Sequence, residues 1–398
     1  MRLLKSNLSQ IGELSLLKKL CCKLPLRKDV VIGAGDDCAV VKIAGDKKYD
    51  YLLKSDGVVE GVHFKPDTQP ELIGHKALGR VFSDFAAMGG EPLWILVDLV
   101  APPKMPVKRI EKIYSGMTSL ANDFSAAIVG GDVSSGKELQ LHVFGVGRVE
   151  KGMAILRSGA KPGDAIFVTG ELGGSIAGKH LNFTPRLHEG QWLSRKRFSS
   201  AMIDISDGLL RDLGHIMRSS GAGARLMLDS IPLSASAAGT ALAHGRLRKA
   251  LKIKSGTLPF GKLKVLSRVE GQAAALQNKR NGLLYALTDG EDYELLFTVS
   301  RQKTRTFLKA WEETFRRPCF RIGWMTERKG KLEGIDSKGK AMKLNDAGFE
   351  HFSSTLNLQN IEEKQETGIF TTEDTKARRS RQADLPVAEN QEEIFSSR

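Results

Sequence analysis

Cysteine is scarce in this chain of 398 residues: only Cys21, Cys22, Cys38 and Cys319. Adjacent Cys21 and Cys22 are not a CxxC pair, and nothing supplies the second half of a zinc site. So few thiols, so placed, exclude a disulfide scaffold and a cysteine-built metal centre. The expectation is reduced, partly buried thiols in a cytoplasmic protein. Long apolar runs are also missing, since no stretch approaches the roughly 18 uninterrupted residues that a membrane-spanning helix needs. The N-terminal MRLLKSNLSQIGELSLLKKL is broken by polar residues and followed by no small-residue cleavage site, so it is expected to be an amphipathic helix of the folded protein. Two kinase signatures are absent as well. No GxxxxGK[ST] string occurs, and there is no HRD or DFG set. Any phosphoryl chemistry here must therefore rest on metal ions, backbone amides and positioning.

Negative charge is in deficit, with a formal net charge of +14, and the excess is concentrated. Between residues 235 and 282 stand ten basic residues against one acid, Glu270. Phe260 is the sole aromatic there, so the segment lacks the aromatic interleaving of a single-strand platform. A solvated basic insertion is expected, which argues against a nucleic-acid role.

What remains is a composition of 41% hydrophobic residues with 41 glycines, suited to a soluble α/β protein with many tight turns. The length allows two or three domains. Val, Leu and Ile enrichment predicts strands at Cys38–Ile43, Tyr51–Lys54, Ala126–Val129 and Leu139–Val149. Trp94–Val100 is a near-continuous apolar run, as expected of a buried strand. Helical spacing marks Glu71–Met88 and a helix from Pro106 to about Phe124. A turn-rich boundary at Arg157–Asp164 precedes strands at Ala165–Thr169, Arg225–Leu228, Tyr293–Val299 and Cys319–Trp324. Helices are expected from Gly173-Gly174 through Leu181, over Asp207–Ser219 and over Lys303–Phe315. Domains are placed at 1–150 and 151–354, the latter carrying the 235–282 insertion. Residues 355–398, poor in large apolar side chains, are expected to be a disordered tail.

Acidic residues recur beside Gly or Ser at the ends of apolar runs. Asp36-Asp37 follow Gly35, and Ser55-Asp56 follow a strand. Ser83-Asp84 sit within a helical pattern, where Asp84 would face Phe82 and Phe85 and so needs a partner such as a cation. Gly130-Gly131-Asp132 end a predicted strand, with glycines that let backbone N–H groups approach a phosphate. Asp204-Ile205-Ser206-Asp207 precede a helix for which Ser206 or Asp207 would be the N-cap. Such positions suit Mg²⁺, which binds through a few carboxylates together with phosphate oxygens. His63 is either a structural histidine or a contact to substrate phosphate. Asp289–Glu294 is either a polar turn or a site for a cationic substrate.

In order, GDDCAV, SDGVVEGVHF, IGHKALGRVFSDFAAMGGEP, GGDV, RSGAKPGDAIFVTG, DISDGLLRDL, DGEDYELLF and GFEHF resemble the thiamine-monophosphate kinase family, of the aminoimidazole ribonucleotide synthetase-like superfamily, over about residues 30 to 352. The resemblance implies two α/β (α+β) domains: an N-terminal one that dimerises through its sheet, and a C-terminal three-layer αβα unit. It implies Mg²⁺ ligands at Asp37, Ser55, Asp56, Asp84, Asp132, Asp204 and Asp207. ATP contacts would be Tyr114, Gly131, Asp132, Arg157 and Ser206, and substrate contacts His63, Glu291 and Phe349. The implied reaction is direct in-line transfer of the ATP γ-phosphoryl group to thiamine monophosphate, giving thiamine diphosphate and ADP, by a cytoplasmic homodimer. No side-chain general base is implied, because a phosphate acceptor is already ionised. Lys54, Val81 and Val133 depart from the family's pattern, and Lys54 would be placed to neutralise phosphate charge itself.

Overall fold

A computed structural model describes residues 8–239 and 282–344. Of the described residues, Leu8–Gly12 belong to one unit, and residues 13–239 with 282–344 belong to a second, compact one. In the first, the described part is a four-residue helix, Leu8–Ile11, closed by Gly12. The basic segment from residue 240 to 281, the tail at 355–398 and Phe349 lie outside the described residues.

In the second unit, six strands form a mixed sheet in the order β1 (Val30–Ile32), β2 (Ala39–Val41), β3 (Tyr49–Val59), β6 (Gln140–Glu150), β4 (Glu91–Ala101) and β5 (Ala127–Ser135). Pairing is antiparallel except for β4 with β5, which run parallel and need the Val107–Asp123 helix as a crossover. That helix and Pro70–Ala87 cross at very short range. A Cβ on Gly74 would lie 1.9 Å from the Ile113 carbonyl oxygen, and one on Gly116 would lie 1.9 Å from that of Glu71. Only glycine permits this approach.

Trp94–Val100 is not a strand buried on both faces. In β4, Ile95, Val97 and Leu99 are buried, whereas Trp94 and Leu96 are 47% and 39% exposed. Helices cover one face of this sheet; successive residues of a strand point to opposite faces, so the outward set is left in solvent.

Pro70–Ala87 is central to the unit. Proline opens it and Glu71 sits in its first turn, favourable at a helix N-terminus. Ile73, Ala77, Leu78, Val81, Phe82 and Phe85 are all 2% exposed or less. Burial of a large apolar side chain contributes roughly 1.5–3 kcal/mol, so this helix is a major stabilising element. It touches β3, β4, β6 and, from the second sheet, β8 (Ser199–Asp204).

The second sheet has seven strands in the order β13 (Ala341–Lys343), β12 (Leu332–Ile335), β9 (Gly223–Met227), β11 (Phe320–Thr326), β7 (Ala165–Val168), β10 (Leu295–Val299) and β8 (Ser199–Asp204). All neighbours are antiparallel apart from β9 and β12. Both faces are covered. Ala165 and Phe167 join the core shared with the first sheet, and Ile166 and Val168 join a second core beneath the Leu209–Ser220 helix. Thr304–Thr314 and Leu187–Arg195 pack on the first of these faces through Phe307, Trp311 and Trp192. The result is three layers, helix–sheet–helix. The helix expected from Gly173 to Leu181 is two short pieces, Ser175–Ala177 and Lys179–Asn182, separated at Gly178.

Candidate active site

Three carboxylates from distant parts of the chain meet. Asp37 lies in the turn before β2, Asp84 in the last turn of Pro70–Ala87 and Asp204 at the end of β8. They offer oxygens that all lie within 4.8 Å of one another. The three residues are 3%, 6% and 3% exposed. Each has one protein partner. The Arg157 guanidinium donates to Asp37 Oδ1 from Nη2 at 2.6 Å and from Nε at 3.2 Å. Lys54 Nζ stands 2.9 Å from Asp84 Oδ1. The Ser83 hydroxyl donates to Asp204 Oδ2 at 2.6 Å. Asp37 Oδ2 is buried with no hydrogen-bond partner.

These partners do not balance the cluster. Burial, reinforced by the Asp37 charge, pushes the Asp204 carboxyl up to about 6 against the Ser83 hydrogen bond and the Lys54 charge. Burial drives Asp84 well above the carboxylate range despite Lys54, with Asp204, Asp56 and Asp37 adding repulsion. Asp36, half-buried beside Asp37, is raised to about 6 by that burial and by the Asp37 charge. Anions held this close ionise together only when further positive charge arrives. An orphaned oxygen and three hard donors fit a divalent cation that prefers oxygen, such as Mg²⁺.

The other expected metal residues are placed differently. Asp56 on β3 is gripped by Arg80, at 3.0 Å from Nη2 and 3.1 Å from Nε. Ser55 is exposed on β3. Asp132 does not end its strand, since β5 continues to Ser135, and it is exposed with the Ser134 hydroxyl at 3.2 Å. Asp207 forms an ion pair with Arg211 at 3.3 Å. Neither Ser206 nor Asp207 caps the next helix, whose N-cap is Gly208 with no side-chain hydrogen bond. Asp212 reaches back from inside the helix instead. Its Oδ2 accepts from the backbone N–H groups of Ser206, Asp207 and Gly208, each at 3.1 Å.

Among the expected ATP contacts, Arg157 joins the cluster, and its backbone N–H donates to Asp36 Oδ2 at 3.1 Å. Gly131 has a local structural reason to be glycine: φ is +150° and a Cβ would lie 1.9 Å from the Val97 carbonyl oxygen on β4. Tyr114 packs half-buried against the first core, with its hydroxyl pushed up by burial and by Asp98. Ser206 is half-buried and its carbonyl accepts from the Glu291 N–H at 2.8 Å.

His63 and Glu291 are brought together by a residue that the motifs did not single out. Lys76 is fully buried. Its ammonium donates to the His63 carbonyl at 2.6 Å, lies 2.8 Å from His180 Nδ1 and pairs with Glu291 at 2.5 Å. Burial works to raise the Glu291 carboxyl, but the His180 hydrogen bond and the Lys76 charge outweigh it and hold the group at about 2. Asp289–Glu294 is otherwise not an open face for a cation. Asp292 accepts from the Gly173 N–H and from the Ser175 hydroxyl, and Asp289 from the Gly174 N–H. Glu294 is clamped by Arg186 at 2.7 Å and Lys179 at 2.9 Å. Glu291 and Tyr293 have φ of 64° and 51°, so the turn that presents Glu291 is strained. Of the cysteines, Cys38 is buried, Cys21 and Cys319 are half-buried and Cys22 is exposed, all as free thiols.

Comparison with known proteins gives this chain its relatives. Residues 35–149 match the model of the AIR synthase related protein, N-terminal domain. The chain is similar to the thiamine-monophosphate kinase of Salmonella typhimurium, 33% identical over 371 residues that cover 86% of this chain and 99% of that one. The enzyme of the same name from Aquifex aeolicus is 30% identical, covering 87% of this chain and 100% of that one. A solved structure described as AaThiL complexed with AMPPCP and TMP superposes with a TM-score of 0.66 at 26% identity, over 87% of this chain and 99% of that one.

Proposed function

This chain belongs to the thiamine-monophosphate kinase family, and on that premise we propose that it transfers the γ-phosphoryl group of ATP to thiamine monophosphate, giving thiamine diphosphate and ADP. The observation that carries this reading is the trio of buried, under-neutralised carboxylates Asp37, Asp84 and Asp204. A relative complexed with AMPPCP and TMP supports the pairing of a nucleotide with this acceptor.

Asp37, Asp84 and Asp204 would hold Mg²⁺, with Asp56, Asp132, Asp207 and Ser55 available from neighbouring strands and turns. When bound, Mg²⁺ supplies positive charge that offsets repulsion between two phosphate anions. Arg157 fixes Asp37, and Ser83 fixes Asp204. Gly131, Ser206 and Tyr114 would contact the nucleotide. Lys76 holds the His63 loop and Glu291 in one arrangement, so a contact to the acceptor from each would be preorganised; the Glu291 carboxylate, ionised across the whole physiological range, suits a thiazolium cation. The acceptor oxygen needs no deprotonation, because a phosphate monoester is ionised near neutral pH. Transfer is in line, by positioning and charge, without a phosphoenzyme.

A homodimer is part of the same reading. Trp94, Leu96 and Val129 point outward from β4 and β5, 39–57% exposed, as an apolar sheet face does when a second copy covers it. Among the described residues, no helix is long and apolar enough to cross a membrane. We place the enzyme in the cytoplasm.

The test is product formation from ATP and thiamine monophosphate, with and without Mg²⁺, with thiamine as the control acceptor. Mg²⁺-dependent thiamine diphosphate from the monophosphate alone is expected. Turnover that ignores Mg²⁺, or none with this acceptor, rejects the proposal.

A further inference from the structure

Asp37, Asp84 and Asp204 bring three formal negative charges together, and two protein cations are in contact with them: Arg157 on Asp37 and Lys54 on Asp84. The two cations are held differently. Arg157 follows the end of β6 in a loop, whereas Lys54 projects from the middle of β3, with its backbone opposite Gly145 of β6 in an unbroken antiparallel register. Its side chain is 24% exposed and its ammonium is directed at Asp84 Oδ1. An ammonium at that distance occupies the lone-pair side of the oxygen where a Mg²⁺–oxygen contact of about 2.0–2.1 Å would otherwise form. It also contributes one fixed positive charge to a cluster that is short of it.

We propose that Lys54 is a tethered counter-cation of the carboxylate cluster, filling a cation place at Asp84 that a divalent ion would otherwise take. The protein alone then holds one divalent ion fewer than its carboxylates would recruit, and ion binding is directed toward Asp37, Asp204 and the other oxygen of Asp84, with Asp37 Oδ2 left without a partner. Lys54 is thereby committed to a carboxylate and does not reach out to substrate phosphate. The inference rests on the reading of this cluster as a divalent-cation site, and its test separates the two.

The full chain, free of nucleotide, is titrated with Mn²⁺ while free ion is counted by electron paramagnetic resonance. Wild type is compared with Lys54→Ser, Lys54→Met and Lys54→Arg. The two neutral variants are expected to bind about one more Mn²⁺ per chain than wild type, or to bind the same number at least tenfold more tightly, and Lys54→Arg is expected to match wild type. Equal stoichiometry and affinity in all four proteins overturns the role of Lys54 and leaves the cation site standing. Absence of Mn²⁺ binding in every protein overturns both. Should a neutral variant be too unstable for the titration, the Mn²⁺-induced rise in its melting temperature is compared with that of wild type. A larger rise supports the tethered cation, and an equal or smaller one rejects it.

Discussion

The carboxylates Asp37, Asp84 and Asp204 and the acidic turn containing Glu291 and Glu294 are both largely withdrawn from water, yet their surroundings treat the charge in opposite ways. At the turn, Glu291 has Lys76 and His180, and Glu294 has Arg186 and Lys179, so both carboxyls are held below their ordinary range against the effect of burial. In the trio, one arginine and one lysine serve three acids, one oxygen has no partner, and Asp84 and Asp204 are pushed up. At Glu294, which is given no substrate to meet, the balanced ionic cluster is a scaffold whose removal costs stability. An unbalanced one is a binding site whose removal costs function.

Substitution breaks this comparison most directly. Asp204→Asn keeps the size of the side chain and an oxygen for the Ser83 hydroxyl while deleting one repelling charge. A fall of at least about 10³-fold in kcat is expected with no loss of stability, read from steady-state kinetics and urea unfolding of the same preparation. Retained turnover would remove Asp204 from the reaction. Glu294→Gln should behave in the opposite way, losing about 3–5 kcal/mol in urea because Arg186 and Lys179 are left without their counter-ion. Activity of whatever remains folded should change little. A stable but inactive Glu294→Gln protein would show that the turn takes part directly in the chemistry.

Cation addition probes the same contrast from the ligand side. Mg²⁺ at about 100 times its dissociation constant should raise wild-type stability by about 2.7 kcal/mol, seen as a higher melting temperature, and should do much less for Asp204→Asn. Equal shifts in the two proteins would place the ion elsewhere. The smallest expected effect is on pH dependence in chelator. Asp204 has its folded pKa raised from 3.8 to about 6, so its contribution is fully present below about pH 4 and is lost as pH rises through about 6. Glu291 has its folded pKa lowered from 4.5 to about 2, so its contribution is present above about pH 4.5 and is lost only as pH falls through about 2. Between pH 4 and 7 the stability difference between wild type and Asp204→Asn should therefore widen by ~1–3 kcal/mol against the wild type. A Glu291→Gln variant should show no such trend across that interval.

The strands and helices that carry the site were largely legible, because hydrophobic period and turn residues are local signals. Pro70–Ala87, Val107–Asp123 and β6 fall within a few residues of expectation. Asp37, Asp84 and Asp204 were visible as acids beside Gly or Ser at the ends of apolar runs. What local signals could not supply was the partner of each charge. Lys54, Lys76, Arg80 and Arg186 find their carboxylates across 30, 215, 24 and 108 residues. Lys76 did leave a trace, a lysine three residues after Ile73 and five before Val81 on a helix face that is otherwise apolar. Strand β5 was expected over Ala126–Val129, with Gly130-Gly131-Asp132 at its end; here the glycines continue the strand to Ser135, both with positive φ and with Gly131 lying too close to β4 for a side chain. The Leu187–Arg195 helix and the short strands β8, β12 and β13 were not expected, since their apolar residues are few and derive their burial from the large sheet they join.

Lys76, Arg80, Ser83 and Asp84 all project from Pro70–Ala87, so a single helix reaches both the place assigned to the acceptor and the place assigned to the cation. With a rise of 1.5 Å per residue, Lys76 and Asp84 stand about 12 Å apart along its axis. The helix is therefore a ruler between the two halves of the reaction. Its gauge is set by backbone hydrogen bonds, which do not stretch, so neither half can drift toward the other as side chains exchange partners. Inserting one residue between Lys76 and Arg80 would turn the two ends by about 100° relative to each other, and two individually intact half-sites would no longer face a common substrate.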